Sequence, residues 1–116
     1  MQSRMLNSDL GFFSRKEKKR LDVSVLAEPA RSLLRSIRTQ VDHRFDEVNV
    51  DVREHRIVFA RITSLRWFLD ILPTHDGLLL SIPSKGSPEN VKKLRIRTEN
   101  ELQSALEEID KSYKSV

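Results

Sequence analysis

Four arginines, Arg53, Arg56, Arg61 and Arg66, fall within fourteen residues, and Trp67 follows the last of them. A guanidinium is a planar fork of donors that matches phosphate or carboxylate, and an indole offers a face on which a base can stack. A sheet surface carrying both would bind an anionic or nucleic-acid ligand. Against this, Trp67 shares its alternation parity with Leu65, Leu69 and Ile71, a spacing that predicts a core side chain. On the first reading the Arg53–Trp67 region is a ligand site. On the second, the arginines are the solvated flank of a buried strand.

Other candidate chemistry is thinner. Asp51 and Asp70 fall on expected strands, and metal-dependent nucleases hold divalent cations with carboxylates on adjacent strands. Asp51 alternates with valines and so faces water, and no Glu-x-Lys on a strand completes such a site. Asp70 shares its side of the strand with Phe68 and Leu72. With both faces covered it would need a partner, for which Arg61 or Arg66 is the expected choice. His43, His55 and His75 lie on separate elements or turns, and none has a second ligand one turn away within a helix, so the spacing predicts no zinc site. Cysteine is absent, which removes disulfides, thiolate metal sites and cysteine nucleophiles together. No Gly-x-Ser-x-Gly elbow occurs. Ser84-Lys85-Gly86-Ser87 lacks the full spacing of a phosphate loop and reads as a plain connection. We expect no catalytic group, metal or cofactor.

The charge is unevenly laid out. Residues 1–20 hold Arg4, Arg15, Lys16, Lys18, Lys19 and Arg20 against Asp9 and Glu17, which accounts for the whole net charge of +4. The rest of the chain is balanced, so a basic isoelectric point says nothing about the folded part. The run Arg15, Lys16, Lys18, Lys19 and Arg20 has three readings: a solvated tail, an electrostatic arm for nucleic acid, or a patch for anionic lipid.

The elements that must position these residues follow from periodicity. After Pro29, the positions Ala30, Leu33, Leu34, Ile37 and Val41 form one face of an amphipathic helix reaching about residue 43. Arg31, Arg35 and Arg38 form a basic stripe on its other side. Val48, Val50 and Val52 alternate as a half-buried strand, Ile57 to Ile62 forms a second, and Leu65 to Ile71 a third. Pro73 to Gly77 is a turn ending in Asp-Gly, and Leu78, Leu80 and Ile82 return from it until Pro83 stops the strand. Ser84 to Asn90 reads as a polar loop, and Leu94 with Ile96 as a short edge strand guarded by lysines and arginines. Leu21 to Leu26 alternates as a short edge strand too. Thr98-Glu99-Asn100-Glu101 is a capping box, and Leu102, Ala105, Leu106, Ile109 and Tyr113 form the stripe of the helix behind it. Ahead of all this, Leu10, Phe12 and Phe13 form an apolar cluster that packs in cis or exchanges between two copies.

The pair Phe12-Phe13, the stretch Arg53-Glu54-His55-Arg56-Ile57-Val58-Phe59-Ala60-Arg61, the segments Trp67 to Pro73 and Leu78 to Pro83, and Ser112-Tyr113 in the closing helix form a further pattern. From about Leu33 to Tyr113 it resembles a prokaryotic domain family of unknown function, often labelled "predicted transport protein". The resemblance implies an α+β fold, in domains that stand alone or are appended to larger proteins, some of which handle DNA. It implies no activity and no mechanism of transport.

With 116 residues the chain is long enough for one core without staples. We expect residues 1–20 as a flexible basic segment and residues 21–116 as one α+β domain. The domain is an antiparallel sheet of four to five strands packed with two amphipathic helices, in the order helix, strands, helix. No apolar run is long enough to span a bilayer and no secretory signal opens the chain, so the expected location is the cytoplasm. The expected function is a non-enzymatic binding module for a macromolecular partner, nucleic acid or another protein, or for an anionic ligand, acting alone or as a homodimer. The rival is a small enzyme or enzyme fragment acting on a phosphorylated or nucleic-acid substrate, with Asp51, Asp70 and His55 as acid–base groups. A deep pocket gathering two of those three would favour the rival.

Overall fold

Both helical stripes bury where their spacing places them. A computed structural model describes residues 19–84 and 87–116. Helix α1 (Ala30–Arg44) buries Ala30, Leu33, Leu34, Ile37 and Val41, and α2 (Glu99–Ser115) buries Leu102, Ala105, Leu106 and Ile109. The capping box of α2 is complete. Thr98 Oγ1 accepts from the Glu101 N–H at 3.2 Å, while the Glu101 carboxylate accepts from the N–H groups of Thr98 and Arg97 at 3.1 and 2.6 Å. Those backbone donors, that of Arg97 foremost, hold the Glu101 carboxyl below its ordinary range. Pro29 is the N-cap of α1 rather than its first helical residue. The free donors there are served by Glu28, which accepts from the Ser32 N–H at 3.2 Å.

Between the helices run β1 (Val48–Val52), β2 (Ile57–Arg61), β3 (Arg66–Thr74), β4 (Gly77–Ser84) and β5 (Ser87–Ile96). They form one antiparallel sheet in the order β1-β2-β3-β4-β5, the cheapest topology when every connection is short. Ile57, Phe59, Leu69, Ile71, Leu78, Leu80, Ile82 and Ile96 meet both helices in one core. Each such side chain contributes about 1.5–3 kcal/mol by leaving water. The fold is α+β in the expected order, helix, strands, helix. Among the described residues no helix is long and apolar enough to cross a membrane.

Four expectations change. Leu21 to Leu26 is not a strand: Val23–Val25 is a 3₁₀ turn, because the Asp22 carboxylate accepts from both the N–H and the hydroxyl of Ser24. A single backbone bond, Leu21 N–H to the Arg53 carbonyl at 2.8 Å, ties this segment to the sheet. Pro83 does not stop β4. The strand runs on to Ser84, and the register shifts at Pro83/Ser84, where a missing N–H is tolerated. Strand pairing resumes at Ser87, so β5 takes in much of the segment expected as a loop. The turn after β3 is tighter than expected, because Pro73 and Thr74 belong to the strand and the pair Thr74–Gly77 closes it. Glycine is required at 77 because a Cβ there would collide with the Ile96 carbonyl of β5. Leu10, Phe12, Phe13, Arg15, Lys16, Lys18, Lys85 and Gly86 lie outside the described residues. Lys19 and Arg20 are exposed.

Candidate functional site

The two faces of the sheet have different fates. Both helices pack on one, and among the described residues no element covers the other. The residues of that open face follow from the register. Asp51 lies opposite Val58, Val58 opposite Asp70, Asp70 opposite Ser81, and Ser81 opposite Lys93. The next row along runs Leu72, Leu79, Arg95. On the other side of the first row Asn49 faces Ala60, and Ala60 faces Trp67.

Trp67 is therefore on the open face, not in the core. The cause is a β-bulge. Phe59 pairs with Leu69 and Ala60 with Trp67, so Phe68 has no residue opposite it. An extra residue in one strand puts two consecutive side chains on the same side and reverses the alternation beyond them. Phe68 and Leu69 are both fully buried, and Trp67 turns the other way, half-buried. Aromatic packing supplies the reason for the bulge. The Phe68 ring meets those of Phe45 and Tyr113 edge-on at centroid separations of 5.5 and 5.2 Å, and Phe45 stacks on Tyr113 at 4.2 Å. Ser112, buried in α2, donates its hydroxyl to the Phe68 carbonyl at 2.9 Å and fixes the bulged backbone from below.

The arginines separate in the same way. Arg56 reaches Asp70 at 3.0 Å, and Arg53 reaches Asp51 at 2.8 Å, both on the open face. Asp70, with its side chain 15% exposed, does take an arginine partner, but it is Arg56 and not Arg61 or Arg66. Arg61 belongs to the helix side. Its guanidinium lies 4.6 Å from the centre of the Tyr113 ring and donates to the carbonyls of Tyr113 and Val116 at 3.3 and 3.2 Å. It adds a donor at the end of α2, where the Val116 N–H also reaches the Tyr113 carbonyl at 3.5 Å, and it lies on the face opposite Trp67. Arg66 is exposed at the start of β3, opposite Arg61, and its backbone N–H donates to the Ser64 hydroxyl at 3.3 Å. Sequence reasoning missed Lys93 and Arg95 as members of this surface. They looked like guards of an edge strand, yet the register sets them beside Ser81 and Leu79 on the open face.

The result is a face with half-buried Ala60 and Trp67 on one side of the Val58–Asp70–Ser81 row and half-buried Leu72 and Leu79 on the other, with Arg53 and Arg56 toward one edge and Lys93 and Arg95 at the other. Asp51 and Asp70 neutralise the first pair of cations. Lys93 donates to the Ser81 hydroxyl at 3.5 Å. Such a surface can lay a planar ring on the indole and hold anions at the β5 side. It is poorly arranged for acid–base chemistry. Asp51 and Asp70 flank Val58 on strands about 10 Å apart, each tied to its own arginine. His55 stands in the β1–β2 turn with its side chain 79% exposed. Among the described residues no three His, Asp or Glu side chains gather as a metal site.

Comparison of the chain with family models, with curated proteins and with solved structures finds no match in any of the three.

Proposed function

We propose that this chain is a non-enzymatic binding module whose open sheet face holds single-stranded nucleic acid. The observation that carries the reading is the bulge at Phe68. It removes the chain's one tryptophan from the core and sets it beside Ala60 on an uncovered sheet face whose other rows carry Arg53, Arg56, Lys93 and Arg95. Sheets that bind single strands use this combination, because every base has a face to stack and every nucleotide a phosphate to pair. A duplex hides its bases from a flat surface, so single strands are the favoured form. The basic run at residues 15–20 adds a sequence-independent contribution that weakens with salt. In keeping with an electrostatic rather than catalytic role, the carboxylates on the face are paired to arginines.

The test is fluorescence anisotropy of labelled single-stranded DNA, single-stranded RNA and duplex DNA with the full chain across a salt series. Single strands bind more tightly than duplex, and Trp67→Ala weakens them by about 1–3 kcal/mol. Serine at the five cations of residues 15–20 lowers the salt dependence and leaves the Trp67 effect intact. Should the serine variant lose all binding while Trp67→Ala loses none, the tail alone is the ligand site. Absence of binding at low salt discards the reading.

A further inference from the structure

A second feature lies at the β5 edge, where the cavities have no wall from Trp67. β5 is the last strand of the sheet, so its outer side has no ladder partner among the described residues. Along such an edge alternate residues point both N–H and C=O outward. Helix α2 runs beside it on the helix side, and two cavities open between strand and helix. One, of about 230 Å³, has Ile82, Lys92, Lys111 and Ser112 on its walls. The other, of about 250 Å³, has Leu94, Ser104 and Ala105. Glu108 borders both, so the cavities form one trench parallel to the strand.

We propose that this trench takes an extended acidic peptide, added to β5 as a further strand. The edge supplies main-chain bonds for an extended segment and nothing for a helix, which fixes the peptide's conformation. Its charge follows from the residues on the rim. Lys92 lies on the trench side of the strand, Lys93 and Arg95 flank the same edge from the open face, and from Asn90 to Ile96 there is no carboxylate. On the helix, Glu108 is met by two lysines, Lys92 at 3.5 Å and Lys111 at 4.0 Å. Glu101, the other acid on the trench wall, is committed to its cap. Edge lysines repel a strand of like charge, and the same lysines select one of opposite charge. Side chains on one side of an added strand recur about every 6.8 Å. An apolar anchor over Leu94 and Ala105 thus sets a carboxylate two residues away near Lys92 and Lys111.

The test is amide-shift mapping on the isotope-labelled full chain, with an acetylated peptide of about eight residues, rich in glutamate around one central leucine. The amides of Asn90–Ile96 and of the trench side of α2 shift, and the lysine analogue of the peptide produces no such shifts. N-methylation of alternate peptide nitrogens removes the donors that pair with β5 and weakens binding by about tenfold or more. This arm leaves the protein unaltered. Lys92→Glu combined with Lys111→Glu weakens the acidic peptide by about tenfold, with the amide spectrum reporting that the fold is kept. Shifts confined to the Trp67 face, equal binding of the N-methylated peptide, or no shift at all would overturn the proposal.

Discussion

Phe68 and Trp67 are adjacent aromatic residues on one strand with opposite fates. Phe68 lies under the helices against Phe45, Phe59 and Tyr113, while Trp67 lies on the uncovered side against Ala60. The helix face is mostly apolar, with Arg61 at its margin against Tyr113, and among the described residues its one buried polar residue, Ser112, is spent on the bulge. The open face mixes half-buried apolar groups with the Arg53–Asp51 and Arg56–Asp70 pairs and the further cations Lys93 and Arg95. A surface kept only for stability would bury its largest aromatic residue. Here the fold turns it outward at the cost of an irregular ladder. On the proposed function, one face serves stability and the other recognition.

The largest expected effect lies on the helix face. Phe68→Ala removes a fully buried ring from the aromatic cluster and costs about 3–5 kcal/mol in chemical denaturation. Trp67→Ala costs less than half of that, because its ring stays half in water. Equal losses would erase the distinction between the faces. Ser112→Ala strands the Phe68 carbonyl and costs about 1–3 kcal/mol. It also moves Trp67, so its fluorescence maximum shifts even where the protein remains folded.

Smaller effects sharpen the picture. Thr98→Ala removes a cap and costs about 1 kcal/mol, read as faster amide exchange in the first turn of α2. The carboxyl of Glu101 in the same cap sits below its ordinary range because it accepts from the Arg97 and Thr98 N–H groups. Its contribution is therefore complete above the ordinary glutamate pKa and is lost as pH falls through the lowered folded value. Protection of that turn against exchange, relative to the free-peptide rate at each pH, falls at acid pH in the native protein, and Glu101→Gln flattens the dependence. Asp70→Asn weakens a pair whose arginine side chain is 44% exposed and costs less than about 1 kcal/mol. Because it releases Arg56 from its partner, the same variant binds nucleic acid more tightly.

Much of this fold is legible in the residues. The stripes of α1 and α2, the capping box and the valines of β1 declare themselves through spacing alone, because regular elements bury at fixed periods. What escapes is irregular. Three successive large apolar residues, Trp67, Phe68 and Leu69, cannot all obey a period of two, and strict alternation sends Trp67 to the wrong side. Which of them breaks the pattern depends on Phe45 and Tyr113, distant in sequence and supplied by tertiary packing. Asp70 shows its need for an arginine, but the register that selects Arg56 is fixed by the whole ladder. Pro83 misleads for a related reason: a strand tolerates proline at a register shift, which spacing does not reveal. The surface around Trp67 was half legible. Its arginines and tryptophan stand together in the chain, whereas Lys93 and Arg95 join only through the pairing of β4 with β5.

The central claim is that Trp67 touches ligand, and its own emission tests this most directly, since the chain has no other tryptophan. Titration of the full chain with unlabelled single-stranded oligonucleotide, at low and then at raised salt, should quench that emission in step with binding. The quenching should reverse as salt displaces the strand. Binding detected by anisotropy with the Trp67 emission unchanged would contradict the account and move the interface off the open face.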